Sequence, residues 1–328
     1  GRLIGETTLL GSRTLHEVQQ LWSPSSRTIR VGGHERVFRY EDGRITSLST
    51  PECAISYRYS LGGSLLEKET PLAATSWDYH PSGLIKSIRV GDGSVYRQEG
   101  MAWDPAGRLS GYTRGEEALG LTYSARGMLS SIGDSRYEFD HGGCGTGVRT
   151  ASPEAQVGDG GLDRVGRVVS EISNSIAYDS AGQVISQGDR QVEWDPWGRL
   201  VKISGSDFTW EASYDAFGRR LETRAIRGGA LETVVSCYDP EEEFQEIGVT
   251  TAKGTSWRLH GPVTCDALIG EETVYPVYNA FGQLVGIQSE REEVVLDVPI
   301  SPYGPRGPPL SGYPEIPAWH GKCLDPTG

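Results

Sequence analysis

The sequence predicts an all-β fold: repetitive antiparallel β-hairpins that form a spiralling shell, a partial β-cocoon. Three observations predict it. A short aromatic-to-glycine motif recurs along most of the 328 residues, and no sustained apolar pattern with the helical period of about 3.6 is present. The 44 Gly, 15 Tyr and 8 Trp match many short strands joined by glycine turns. Only the stretch from Thr14 to Trp22, with Leu15, Val18 and Leu21, also fits a helix turn.

The motif is clearest from Trp194 to Leu200, which reads Trp-Asp-Pro-Trp-Gly-Arg-Leu. Asp195 suits the first position of a type I turn, because its carboxylate can accept from backbone N–H groups two residues on. Pro196 has the φ that the second position needs. Gly198 lies where the chain must pass through positive φ to rejoin the partner strand. The motif therefore predicts the corner of a β-hairpin.

Copies of this corner follow one another, with aromatics separated by roughly 16 to 24 residues, a period typical of repeat proteins. Weaker copies begin at Tyr40, Tyr59 and Leu162. The predicted corner residues of the stronger copies, including the one at Trp194, are Tyr79, Gly83, Trp103, Asp104, Gly107, Arg108, Tyr123, Gly127, Tyr178, Asp179, Gly182, Trp194, Asp195, Gly198, Arg199, Tyr214, Asp215, Gly218, Arg219, Tyr278 and Gly282.

A second aliphatic residue often follows the first after the corner, three positions on, as in Ile45 and Leu48 or Leu200 and Ile203. On a flat strand, side chains three apart point to opposite faces. The spacing therefore indicates either a β-bulge or a sheet with apolar residues on both faces.

Charge and composition exclude several classes of function. The net charge of −13 repels phosphate backbones, so we expect no nucleic-acid partner, and no apolar run approaches the roughly 20 residues needed to span a bilayer. The five cysteines are widely spaced without a Cys-x-x-Cys pair, which favours buried single thiols over disulfides or a zinc site. The chain begins at Gly1 without a signal peptide, and we interpret it as a piece of a longer polypeptide.

Candidate chemical groups all have a simpler structural interpretation. His320 and Cys323 are three apart, which places them on opposite faces of a strand, and His141 and Cys144 share the spacing in a glycine-rich loop without a third group. That loop also lacks the Gly-Lys-Ser/Thr of a phosphate-binding loop. We therefore predict no catalytic residue and no cofactor.

The acidic residues indicate turns rather than a catalytic or metal site. Asp239 with Glu241, Glu242 and Glu243 forms an acidic turn that we expect to be exposed, because the spaced oxygen ligands of a calcium loop are missing. The Asp residues of the corners fit capping of backbone N–H groups. The arginines that follow the corner glycines could pair with these acids across neighbouring hairpins; they are Arg44, Arg108, Arg167, Arg199 and Arg219.

The corners and the residues after Ser236 together resemble the Rhs/YD-repeat family. Its defining repeat is Tyr-Asp-x-x-Gly-Arg-Leu, and the end of the chain is similar to the Rhs-associated core in Tyr238-Asp239…Phe244, Leu259-His260-Gly261-Pro262, Pro302-Tyr303-Gly304 and Gly321-Lys322-x-x-Asp325-Pro326-x-Gly328. On this basis we predict lead-in strands of the shell in residues 1–35, a hairpin array in 36–235 and a truncated core region in 236–328. The glycine-rich stretch at about 142–161 fits an insertion better than a domain boundary.

The resemblance implies a β-strip that spirals into a hollow shell. In bacterial toxin systems such a shell encloses a toxic C-terminal segment of the same polypeptide, and in teneurins a similar shell belongs to a cell-surface adhesion protein. We therefore expect a non-enzymatic scaffold of a bacterial Rhs-type polymorphic toxin or a related protein, secreted or at the cell surface after export. Its expected partners are its own toxin segment and secretion-system or cell-surface components.

Two functions other than enclosing a toxic segment also fit the sequence. An extracellular adhesion or carbohydrate-binding module would use exposed Tyr and Trp to stack on sugars. A self-cleaving core would use carboxylates near Asp325-Pro326-Thr327-Gly328, which resembles half of a cleavage element found in some family members.

Overall fold

The computed structural model describes residues 4–91, 95–139, 145–149, 170–171, 174–242, 244–291 and 293–295. All regular secondary structure elements within these ranges are β-strands, so the predicted all-β fold is confirmed. The strands form two large antiparallel sheets, neither of which closes into a barrel.

The first sheet has fifteen strands in the described ranges. They are β1 (Gly5–Leu10), β2 (Arg13–Ser23), β3 (Ser26–Val31), β4 (His34–Glu41), β5 (Arg44–Ser49), β6 (Ala54–Tyr59), β7 (Leu65–Glu69), β8 (Ala74–Tyr79), β9 (Ile85–Gly91), β10 (Val95–Trp103), β11 (Leu109–Arg114), β12 (Glu117–Tyr123), β13 (Leu129–Ile132), β14 (Ser135–Phe139) and β15 (Gly145–Arg149).

The second sheet has fourteen strands in the same ranges. They are β16 (Ser170–Glu171), β17 (Asn174–Tyr178), β18 (Val184–Gln187), β19 (Arg190–Trp194), β20 (Leu200–Ser204), β21 (Phe208–Tyr214), β22 (Arg220–Arg227), β23 (Ala230–Tyr238), β24 (Glu246–Thr251), β25 (Gly254–His260), β26 (Cys265–Ile269), β27 (Thr273–Tyr278), β28 (Leu284–Gln288) and β29 (Glu293–Val295).

Strand order equals sequence order in both sheets, because each strand pairs with its neighbours in the chain. The predicted boundary at residue 236 falls inside β23, which pairs with β22 and β24 along its length. Most of the glycine-rich stretch at 142–161 and all residues after 295 lie outside the described ranges. The division into three sequence regions therefore stays a prediction.

The stretch with two interpretations, Thr14 to Trp22, lies within strand β2. Val18 and Gln20 are buried there, each with 2% of its surface exposed, while Glu17, Gln19 and Leu21 are exposed. This alternation has the period of a strand, and pairing with β1 and β3 satisfies the backbone.

A β-bulge at the corners explains the aliphatic spacing of three. Trp194 pairs with Leu200 and Glu193 with Lys202, so Val201 is an extra residue on the return strand. Ile203 then faces Val192, on the same side as Leu200, and all three belong to one apolar cluster. Ile45 and Leu48 are brought to one face in the same way, with Thr46 as the extra residue.

The two sheets pack on each other through opposite faces. We call the face that carries the corner aromatics the aromatic face, and the other, which carries the bulge residues, the bulge face. The first sheet contributes its aromatic face, with Tyr40, Tyr59 and Trp77, to the main core cluster. The second sheet contributes its bulge face to that cluster, with Cys237 and Ile247.

Where β10 and β12 meet β27 and β28, the same two faces pack on each other. Trp103 and Tyr123 of the first sheet pack with Val277 and Val285 of the second. Tyr278 and Leu284 belong to a separate cluster on the aromatic face of the second sheet. A rolled strip packs in this way, because the inner face of one turn lies on the outer face of the next.

Candidate functional site

The corner from Asp195 to Arg199 shows how each residue type fixes the turn. Asp195 Oδ1 accepts hydrogen bonds from the backbone N–H groups of Trp197 and Arg199, each at 2.9 Å, and Oδ2 accepts one from Arg199 Nε at 2.6 Å. The N–H of Gly198 donates to the carbonyl of Asp195 at 2.9 Å, and Gly198 has a φ of 78°. Only glycine adopts this left-handed conformation without strain, so the motif closes the hairpin.

The same bonds recur at other corners. Asp104 and Asp215 accept from two backbone N–H groups and from the arginine four residues on, and Asp179 accepts the two backbone bonds with Gln183 in the arginine position. The backbone N–H of Arg108 is the main cause that lowers the pKa of the half-buried Asp104 carboxyl. These carboxylates serve the turn.

The hypothesis that arginines pair with acids across neighbouring hairpins is wrong for Arg108, Arg199 and Arg219. Each forms its ion pair with the Asp of its own corner. The guanidinium instead covers the aromatic ring of the next corner. The distances from guanidinium carbon to ring centre are 4.6 Å for Arg108 over Tyr123, 4.9 Å for Arg199 over Tyr214 and 5.4 Å for Arg219 over Tyr238.

The corner aromatics form a ladder of hydrogen bonds along both sheets. Within the described ranges, seven of them donate a hydroxyl or indole N–H to the backbone carbonyl of the first residue after the preceding corner, at 2.7 to 3.0 Å. His260 takes the place of the aromatic at one corner and contacts the carbonyl of Glu246 at 2.9 Å. The ladder explains why the position holds Tyr or Trp rather than Phe. Its donor–carbonyl pairs are Tyr59–Ile45, Tyr79–Leu65, Trp103–Ile85, Tyr123–Leu109, Trp194–Val184, Tyr214–Leu200 and Tyr238–Arg220.

A buried ion pair joins the two sheets at Arg27 and Asp239. Arg27 Nη1 donates to Asp239 Oδ2 at 3.0 Å, Nη2 binds the other carboxylate oxygen, and Nε donates to Gln20 at 2.7 Å. The side chains of Arg27 and Asp239 are 5% and 1% exposed. The expectation that the acidic turn is exposed is therefore wrong for Asp239, because the first sheet covers it.

Polar contacts continue along the interface in the order of the strands. Tyr57 Oη and Lys68 Nζ donate to the buried Asp266 carboxylate at 2.7 and 2.9 Å. Other cross-sheet contacts are Arg219 to Glu6 at 2.5 Å, Arg13 with Glu222, and the N–H of Ala280 to Glu99 at 2.9 Å. Contacts in this order hold the two layers in register.

An aromatic and cationic group lies at the centre of the interface. His34 of the first sheet stacks on Trp257 of the second, with ring centres 4.9 Å apart. Arg36 is buried and donates to the carbonyls of Arg258 and Ile247 at 2.8 and 3.2 Å. Burial lowers the pKa of Arg36 to about 10, and burial with the charge of Arg36 lowers that of His34 to about 4.

A cavity of about 340 Å³ lies between the sheets beside Asp266. Trp77, Ile88 and Phe281 line its apolar part. Burial, followed by the nearby Asp266 charge, raises the pKa of Tyr57 well above its usual value. Asp266 is held by three donors from Tyr57, Lys68 and Thr264, so it serves as an acceptor that joins the sheets.

The predicted corner residues lie along the sheets rather than around one centre. Within the described ranges no group of His, Cys, Asp and Glu side chains is arranged to hold a metal ion. Cys53, Cys237 and Cys265 are buried thiols, and burial raises the pKa of Cys237 to about 12. Arg167, His141, Cys144, His320, Cys323 and Asp325 lie outside the described residues.

The bulge residue is the functional position that the motif does not identify. On the first sheet it is Thr46, Leu66, Lys86, Ser110 or Ser130, and none of these is buried. On the second sheet it is Ile185, Val201, Leu221, Ile247, Asp266 or Val285. The change from mainly polar to mainly apolar residues at this position marks the sheet whose bulge face is covered.

Comparisons with known proteins relate this fold to toxin structures. No family model and no curated protein matches the chain. A chain of the Photorhabdus luminescens Tc holotoxin pore structure, with a TccC3 mutation, matches with a TM-score of 0.59 and 13% identity over 84% of this chain and 17% of that chain. The crystal structure of TcdB2-TccC3-Cdc42 gives the same TM-score and identity over 84% of this chain and 19% of that chain.

At this identity the likeness shows the fold alone, and the chain spans less than a fifth of each of these two chains. Within the described residues, no helix is long and apolar enough to cross a membrane.

Proposed function

We propose that this chain is part of the wall of an Rhs-type toxin shell, a non-catalytic scaffold that encloses a toxic C-terminal segment of the same polypeptide. The observation that carries the proposal is the layering: the aromatic face of the first sheet packs on the bulge face of the second. The shared fold with chains of Tc toxin structures supports a toxin-related role.

The physical basis of containment is a wall that satisfies its own polar groups. Corner carboxylates cap backbone N–H groups, and corner aromatics donate to backbone carbonyls one hairpin away. The bulge face of the first sheet is not covered by any strand in the described ranges, and we call it the free face of that sheet. It carries exposed pairs such as Arg58 with Glu67 and Arg30 with Glu35. A wall built in this way separates its contents from water without catalysis by the repeats.

The proposal extends to location and partners. The protein is of bacterial origin and is secreted or displayed at the cell surface after export, and secretion-system or cell-surface components are its external partners. It takes no cofactor and binds no nucleic acid, in keeping with the net charge of −13.

Limited proteolysis of the natural full-length protein tests containment. The C-terminal segment should resist protease in the wild type and become sensitive in Arg27→Gln, which leaves the Asp239 carboxylate buried without its partner. The matched control is Arg58→Gln, which removes an exposed pair on the free face of the first sheet. Cleavage of the segment in the wild-type protein at the rate of the isolated segment would overturn the proposal.

Carbohydrate binding is the less favoured candidate. Trp197 and Phe217 are 78% and 67% exposed and could stack on sugars. Most corner aromatics, however, use their polar atoms in the ladder and are partly buried. Self-cleavage would depend on Asp325, which lies outside the described residues.

A further inference from the structure

The bulge face of the second sheet is covered at one end and uncovered at the other. The bulge residues Leu221, Ile247 and Asp266 are each 2% exposed and Val285 is 0% exposed, because the first sheet lies on them. At the corners that precede them, Val201 is half-buried and Ile185 is 40% exposed. Ile185 and Val201 are therefore apolar, like the covered bulge residues, but lie beyond the edge of the first sheet.

The contacts between the two sheets show which corners of the second sheet are covered by the first. Strand β1 reaches the corner at Arg219 through Glu6, and β3 reaches the next corner at Asp239 through Arg27. Between these two corners the first sheet advances by two strands, and between the later corners, at Asp266 and Ala280, it advances by three or four. The corner from Asp195 to Arg199 therefore lies under the place of at least two strands that would precede β1 in the sheet. In the part of the chain that the structure describes, β1 pairs with β2 alone.

The arginines of these two corners also differ in burial, and the one at the covered corner is the more buried. Arg219 is 7% exposed and binds both Asp215 and Glu6, whereas Arg199 is 25% exposed and binds Asp195 and the carbonyl of Asp215. Trp197, beside Arg199, is 78% exposed. At the equivalent position Phe217 is 67% exposed although Glu6 reaches its corner, whereas Phe281 packs on Tyr112 of the first sheet at 5.1 Å between ring centres, so this position is covered at some corners and exposed at others.

We propose that Ile185, Trp197, Arg199 and Val201, together with the free edge of β1, form a docking surface for one further β-hairpin. The hairpin continues the first sheet by two antiparallel strands, covers Ile185 and Val201 with apolar side chains, and presents a carboxylate to Arg199 as Glu6 does to Arg219. The proposal rests on the layered wall proposed above but not on what the shell contains.

A peptide with the sequence of residues 5–23 is the probe, because β1 and β2 already cover the corner one step along. Added at about 1 mM, comparable to the effective concentration of a tethered module, it should slow hydrogen exchange of the Gly5–Leu10 amides in the 328-residue chain. A probe with Glu6→Gln should bind roughly tenfold more weakly, since a hydrogen bond to a charged group is lost.

Variants of the chain locate the contact. The double variant Ile185→Ser with Val201→Ser, and separately Arg199→Gln, should each weaken binding of the unmodified probe at least roughly tenfold. Leu66→Ser is the matched control, because it changes the same position on the free face of the first sheet. Circular dichroism melts establish that each variant is folded.

Three results would overturn the proposal: no protection of β1 at this probe concentration, equal binding by the double variant and the wild type, or a dimer of the chain that already protects β1 without probe. The dimer would identify a second copy as the occupant. A shell whose segment is protected from protease while the probe fails to bind would leave the containment function intact.

Discussion

The two sheets are built from the same corner, yet they bury opposite faces. In the first sheet the aromatic face is covered and the bulge residues Thr46, Lys86, Ser110 and Ser130 are polar. In the second sheet the bulge face is covered, and Leu221, Ile247 and Val285 at the equivalent position are apolar and buried. The corner motif therefore specifies the hairpin, while the residue at the bulge specifies how a sheet is layered.

The loss in the free energy of unfolding should differ most between covered and free faces when an ion pair is removed. Arg27→Gln leaves a buried carboxylate without its partner and should lower the free energy of unfolding by about 3–5 kcal/mol. Arg58→Gln, which removes a pair with side chains 64% and 37% exposed, should cost at most about 1 kcal/mol. Urea denaturation of both variants measures the difference, and equal losses would contradict the layering.

Two leucines at the bulge position provide a matched apolar comparison. Leu221→Ala on the covered face of the second sheet should cost about 3 kcal/mol, because it opens a cavity at a residue that is 2% exposed. Leu66→Ala on the free face of the first sheet is half-buried and should cost about 1 kcal/mol or less. Similar urea midpoints for the two variants would show that the second sheet is not covered there.

Acid should weaken the ladder at His260 before it weakens the corner carboxylates. Burial, with Arg258 and Arg36 adding to it, lowers the pKa of His260 from 6.5 to about 4 in the folded chain. The unfolded chain therefore binds a proton first as the pH falls, so stability decreases from about pH 6.5 to about pH 4. His260 alone should account for a loss on the order of 1–2 kcal/mol between pH 7 and pH 5, measured by urea denaturation, and His34, with its pKa also lowered to about 4, should add a similar amount.

His260→Gln keeps a side-chain donor for the carbonyl of Glu246 and should remove the part of the pH dependence that is due to His260, while the similar part due to His34 remains. The corner carboxylate Asp104 provides the contrast, since its lowered pKa moves its loss of stabilisation below pH 3.8. An unchanged pH dependence in His260→Gln would assign the acid sensitivity to other groups.

The smallest expected effect is one that the two sheets share. Tyr123→Phe in the first sheet and Tyr214→Phe in the second each remove a ladder hydrogen bond, of 2.8 and 2.7 Å. Each should cost about 1 kcal/mol, because a buried carbonyl loses its side-chain donor. Thermal or urea unfolding should give equal losses; a clear difference would mean that the ladder depends on the layer.

The hairpin corner could be predicted from sequence because its determinants are local. Asp195, Pro196 and Gly198 each meet a backbone requirement within one turn. The spacing of Ile45 and Leu48 fitted a bulge or two apolar faces, and the structure has both features, the bulge at Thr46 and apolar bulge residues on the second sheet. Once the bulge position is known, the polar-to-apolar change between the sheets is readable in the sequence.

The layering could not be predicted, because its determinants are far apart in the chain. Arg27 and Asp239 are 212 residues apart, and the acidic composition around Asp239 indicates a solvated turn when it is considered alone. The exchange of the corner aromatic for His260 likewise hides one corner from a motif based on Tyr and Trp.

A double-mutant cycle of Arg27→Gln and Asp239→Asn, measured by urea denaturation, tests the layering most directly. These residues lie in different sheets and meet only if the first sheet covers the second. If the first sheet covers the second, the coupling energy between the two substitutions should be about 1.5 kcal/mol or more. Additive effects, within about 0.5 kcal/mol, would contradict the layering.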